Sequence, residues 1–132
     1  MGAAPLIWAI SGSRNFPYRD VVESWVRSIA YLGDSVILHT GGALGVDTWA
    51  EHTAIDLGIP YRRFDADWDT YGKRAGFLRN EQMIQGAFQL QAFWDGKSNG
   101  TLHAIKYAAS IGVDAKVIVM SGIVSEEDDD WF

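Results

Sequence analysis

Three glycines fall within five residues at Gly41, Gly42 and Gly45, between the apolar run SVILH (35–39) and a helix-like stretch that opens at Asp47. Glycine reaches backbone angles that other residues resist, so such a turn can present neighbouring N–H groups to one point, and the positive end of the following helix adds to them. Phosphate is the group this arrangement suits. A plain tight turn is the simpler reading of the same residues. Asp47 also has two readings, as the N-cap of the helix or as an acceptor for a ribose hydroxyl. In both, phosphate sits on the glycines and not on the carboxylate. No Lys-Ser/Thr pair follows Gly45, so this is no P-loop, and neither its spacing nor its place matches the dinucleotide fingerprint of a first turn.

Three further segments carry groups of the same kind. Ser11-Gly12-Ser13-Arg14-Asn15 joins small residues and two hydroxyls to an arginine whose planar fork suits phosphate. In DADWDTYGKRAGFLRNEQM (65–83), Trp68 and Tyr71 can stack on a base, while Arg79 and Asn80 sit on a helical stretch with Met83 on the arginine's face. Asp65, Asp67 and Asp69 alternate as in a calcium loop, but Thr70 stands where its turn glycine belongs and Gly76 where its closing Glu belongs, which excludes that reading. Gly96-Lys97-Ser98-Asn99-Gly100-Thr101 is a second small-residue turn entering a helix, with Ser98 or Asn99 as cap and Thr101 beside the first N–H groups. His39, His52 and His103 have no metal-ligand spacing and read as structural or surface residues. No serine lies in a G-x-S-x-G elbow.

The elements that must hold these segments alternate along the chain. LIWAI (6–10), SVILH (35–39), YRRFD (61–65), FQLQAFW (88–94) and AKVIVM (115–120) read as strands, each short and bounded by Gly, Pro or Asp. Between them lie helical patterns over about 20–32, 47–57, 73–86 and 100–111, with Asp20 placed to cap the first and Gly58-Ile59-Pro60 to end the second. Phe77 and Ile84 read as core positions of the third helix. This alternation predicts an α/β fold, a Rossmann-like doubly wound and mainly parallel five-stranded sheet with helices on both faces. Ligands of such sheets bind outside the carboxyl ends of the strands, where every segment singled out above falls. Residues 1–120 are expected to form one domain, and 121–132 an acidic, flexible tail.

Composition narrows the function classes. Apolar residues make up 48% of the chain and there are six Trp, five Tyr and six Phe, enough for a packed core. The net charge of −6 is concentrated, because five of the last seven residues are acidic and the remainder holds 12 acidic against 11 basic residues. A near-neutral body lacks the broad basic surface of a duplex-DNA binder, so nucleic acid is not an expected partner. The absence of cysteine excludes a disulfide framework or thiolate site and fits the cytoplasm, and no secretory signal or membrane-length apolar run is present. The end SEEDDDWF reads as a solubilising terminus or as a docking peptide for a protein partner, with Trp131 and Phe132 as anchors. A variant of that reading folds it back over Arg14 and Arg79.

Taken together, Gly12-Ser13-Arg14, Gly41-Gly42-Ala43-x-Gly45-x-Asp47, Ala75-Gly76-x-x-Arg79-Asn80-x-x-Met83 and Phe93-Trp94-Asp95-Gly96-Lys97-Ser98-x-Gly100-Thr101 resemble the SLOG superfamily. That group includes the DNA-processing Smf/DprA proteins and the Lonely-guy phosphoribohydrolases, and the nearest match is its small YspA-like (DUF2493-type) branch. The resemblance covers about residues 6–120. It implies a Rossmann-like fold, glycine loops that bind a nucleotide or an ADP-ribose-like ligand with no further cofactor, and self-association. In the Lonely-guy enzymes an Arg-Lys pair and a Glu downstream of Gly-Thr support N-glycosidic cleavage of a nucleoside monophosphate. Here Arg79 matches the arginine, Asn80 replaces the lysine, and Ala104 stands three residues after Thr101, where that Glu belongs. The expected function is therefore nucleotide binding by a sensor, carrier or sequestering protein. The alternatives are a phosphoribohydrolase using Arg79 and a displaced carboxylate such as Asp47 or Asp95, and a DNA-processing accessory.

Overall fold

The computed structural model describes residues 5–32 and 35–119. Five strands, β1 (Leu6–Gly12), β2 (Val36–Thr40), β3 (Tyr61–Arg63), β4 (Gln89–Trp94) and β5 (Asp114–Val119), form one sheet in the order β3-β2-β1-β4-β5. Every pairing is parallel, with Ala9 opposite His39 on one side of β1 and opposite Leu90 on the other. The fold is the Rossmann-like α/β architecture expected. The tail assigned to 121–132 lies outside the described residues.

Alternation along β1 sends its side chains to two cores. Trp8 and Ile10 pack with Val22, Val26 and Ile29 of α1 (Arg19–Ala30) and with Val46, Ala50 and Ala54 of α2 (Val46–Leu57). Ala9 packs on the other face with Met83 and Ile84 of α4 (Arg74–Ile84) and Ala104 and Ala108 of α5 (Asn99–Ser110). Phe16 and Phe93, both fully buried, meet edge to face at 5.4 Å where the first loop returns to the sheet. No helix among the described residues is long and apolar enough to cross a membrane.

Three helix boundaries differ from those read in the sequence. The first helix begins at Arg19 with Tyr18 at its N-cap and no side-chain cap, so Asp20 lies within the first turn and acts there by charge alone. Ahead of the third predicted helix lies a short one not read in the sequence: Asp67 accepts from the Thr70 N–H to start α3 (Trp68–Tyr71), and Gly72, at φ 59°, breaks the chain before α4. The second helix opens at Val46 behind Gly45, whose φ of 84° makes the glycine itself the cap residue. Asp47 is therefore not an N-cap. Its carboxylate reaches backwards instead.

Candidate functional site

The loops leaving β1, β2 and β3 meet at one end of the sheet and enclose a cleft of about 430 Å³. Its wall is made by Arg14, Gly41–Leu44, Asp65, Ala66, Trp68 and Arg79. Close packing brings the first two loops together. A Cβ at Gly12 would lie 2.3 Å from the Val46 Cβ, and one at Gly45 would lie 3.2 Å from the Arg14 carbonyl. Only glycine at these two positions lets the β1 loop rest on the start of α2, which carries Arg14 to the cleft.

Beneath the glycine turn lies Asp47, 5% exposed. Its Oδ2 accepts the N–H groups of Gly41 at 3.1 Å and Ala43 at 3.2 Å, while Oδ1 is buried without a partner among the described residues. Burial pushes this carboxyl up from 3.8 to about 6, with Glu51 adding to the rise and the Arg79 charge and the two N–H groups acting against it. Two of the loop's N–H groups are thus held from below by the protein's own carboxylate. Gly42 and Leu44, which also line the cleft, are not held by it.

Arg79, 6% exposed, is built into the loop from the α4 side. Its Nη1 donates to the Gly41 carbonyl at 2.5 Å and its Nε to Asn80 Oδ1 at 3.1 Å, and Asn80 Nδ2 donates in turn to the Gly100 carbonyl at 3.1 Å. Burial pulls the guanidinium below its ordinary range, opposed by the carboxylates of Asp47 and Asp65.

The turn after β4 takes a different place. Ser13, Ser98 and Thr101 are buried, with Ser13 Oγ 3.4 Å from Thr101 Oγ1 and accepting the Asp95 N–H at 3.2 Å. Asp95 Oδ1 accepts the N–H groups of Lys97 and Ser98, both at 2.8 Å, and Ser98 caps α5 through the Thr101 N–H. None of Gly96, Ser98, Gly100 or Thr101 lines the cleft. Of the residues singled out in the sequence, Arg14, Gly41, Gly42, Trp68 and Arg79 share the cleft wall, while Gly12, Ser13, Gly45, Asp47 and Asn80 lie behind it. Asp65, Ala43 and Leu44 had no assigned role. The three alternating aspartates were the available signal for Asp65, once the calcium reading was excluded.

Among the described residues, no three His, Asp or Glu side chains gather as a metal site would require. His39 is held through Nδ1 by the Met83 carbonyl at 3.0 Å, and burial lowers its pKa. The His103 ring lies 4.4 Å from that of Phe77, tilted by 41°. Ala104, in the place of the Lonely-guy Glu, is fully buried in the α4–α5 core. A second groove, of about 770 Å³, runs along the α4 side of β2 and β3 past Ile37, His39, Arg62 and Phe64, with no glycine turn in its wall.

No family model matches the chain. It is 38% identical over 86 residues to the Gene 61 protein of Mycobacterium phage D29, a match covering 59% of this chain and 66% of that protein, just under two thirds. Among solved structures, TM1055 superposes with a TM-score of 0.68 at 17% identity, covering 83% of this chain and 72% of that one. DNA processing protein A from Helicobacter pylori, described for its single-stranded DNA binding mode, superposes with a TM-score of 0.69 at 20% identity, covering 92% of this chain and 69% of that one. Both carry SLOG-type folds, and at these identities the likeness is one of fold.

Proposed function

We propose that the cleft binds a nucleotide or a nucleotide-derived ligand, and that the protein acts as a sensor, carrier or sequestering protein of the YspA-like SLOG branch. One observation carries this reading: an arginine and a glycine turn, a carboxylate, and a half-exposed indole line a single cleft of about 430 Å³. That volume lies within the roughly 300–1,000 Å³ of small-molecule sites. Arg14 and the N–H groups of Gly42 and Leu44 take the phosphate, Asp65 accepts from a ribose hydroxyl, and Trp68 covers the base. Arg79 adds positive potential to the cleft wall, its Nη1 and Nε serving Gly41 and Asn80. Self-association, a protein partner for the tail and a cytoplasmic location extend the same proposal; light scattering of the full chain measures the first.

The test is thermal denaturation with a panel of nucleotides that includes ADP-ribose derivatives and cyclic forms. A ligand of this site raises the melting temperature of the wild type, and Arg14→Ala removes most of the rise. A flat response across the panel refutes the reading. The phosphoribohydrolase alternative has only the shared fold in its favour: Ala104 offers no carboxylate, and Asp47 and Asp95 each hold backbone N–H groups of their own loops. AMP should therefore release no free base.

A second reading is single-stranded DNA, favoured by the likeness to DNA processing protein A from Helicobacter pylori. An arginine beside an exposed aromatic serves a strand as well as a nucleotide. Oligothymidylate titrated at two salt concentrations separates them, because a strand that contacts several phosphates loses affinity steeply with salt.

A further inference from the structure

We infer that Arg63, held by Glu51, is the positioning residue of the glycine turn: it braces Gly42 in the conformation that offers its N–H to the cleft. The inference rests on the nucleotide-site reading for its purpose, but its geometry stands apart from any ligand. Gly42 has a φ of 71°, a left-handed conformation, and the space above its Cα is filled. An added Cβ would lie 2.7 Å from Arg63 Cδ and 3.0 Å from its Cγ. The arginine stem thus packs directly on the Gly42 backbone.

What fixes the stem is a buried carboxylate on α2. Arg63 Nε donates to Glu51 Oε2 at 3.2 Å and Nη2 to Oε1, a two-pronged pair that a lysine cannot reproduce. Glu51 is 2% exposed, and its Oε2 also accepts the hydroxyl of Thr40, the last residue of β2. One carboxylate therefore ties the end of β2 to the end of β3, beside the turn. Gly41 is matched from the opposite side, where a Cβ would lie 2.7 Å from Arg79 Nη1. The two glycines are clamped between two arginines, and each arginine faces a carboxylate of α2, Asp47 or Glu51, one helical turn apart. Arg63 is not part of the cleft wall, so its influence on a ligand passes through Gly42.

The experiment compares wild type, Arg63→Ala and Arg63→Lys by backbone amide NMR without ligand, and by titration with ADP-ribose and with inorganic phosphate. Expected is a displaced and faster-exchanging Gly42 amide in both variants, with affinity lowered about tenfold in Arg63→Ala, the weight of one hydrogen bond to a charged group. The lysine variant, which keeps the charge and the stem, falls between and guards against loss of folding. Val36→Ala, a core truncation at the far end of β2, should lower the melting temperature while leaving both readouts as in the wild type. An unmoved Gly42 amide, or a wild-type affinity in a folded Arg63→Ala, overturns the inference. If the wild type binds neither probe, the Gly42 amide alone decides the bracing role, and the nucleotide panel decides the nucleotide reading.

Discussion

Replacing Asp47 with asparagine isolates the most perturbed carboxyl near the cleft. In the folded protein this group titrates at about 6 against an ordinary 3.8, chiefly because burial penalises its charge. At about 1.4 kcal/mol per pH unit the difference amounts to roughly 3 kcal/mol. A folded-state pKa above the unfolded one means the folded protein holds the proton more tightly. The stabilisation is therefore complete below about pH 3.8, declines as pH rises through 6, and is gone above it. The Asp47→Asn side chain does not titrate and has no such dependence. It carries a different cost, since its NH₂ would occupy the place of the unpartnered Oδ1, but that cost of about 1–3 kcal/mol does not vary with pH. His39, whose pKa is lowered by burial, contributes with the opposite slope and is common to both proteins. The difference between wild type and variant thus isolates Asp47. Urea denaturation from about pH 4 to about pH 7.5 should show the wild type losing roughly 2–3 kcal/mol relative to Asp47→Asn. Parallel stability curves would refute the account of a buried, partly unsatisfied carboxylate under the glycine turn.

Gly12→Ala drives a methyl group into Val46 and should destabilise by about 1–3 kcal/mol, read as a lower melting temperature; Val46→Ala in the same chain should restore part of it. Phe93→Ala empties the fully buried contact with Phe16 and should cost about 3–5 kcal/mol by denaturant titration. Trp68→Ala, at a half-exposed position, should leave the melting temperature nearly unchanged and weaken nucleotide binding by about 5- to 100-fold, the range for one stacked base. A calorimetric titration that shows equal affinity would remove the indole from the site.

The inner strands β1, β2 and β4 were legible because each is a short apolar run, the signature that a parallel sheet buried on both faces leaves. The glycine turns were legible for the same local reason: only glycine fits at Gly42, where φ is positive, or at Gly12, where Val46 would meet its Cβ. Ser98 could be read as a helix cap, because capping is a contact between near neighbours in sequence. Asp47 reads the same way along the chain and does something else. Gly45 takes the cap position, and the carboxylate turns back to Gly41 and Ala43. Contacts between segments lay beyond local reading. Glu51 meets Arg63 twelve residues on, and Arg79 meets Gly41 across thirty-eight. Neither separation follows a helix or strand period, so no spacing encodes it. The sequence determined which segments gather at the carboxyl ends of the strands. Only the tertiary structure decided which of their side chains face the cleft and which brace it, because that depends on how α2, β3 and α4 pack around a turn of five residues.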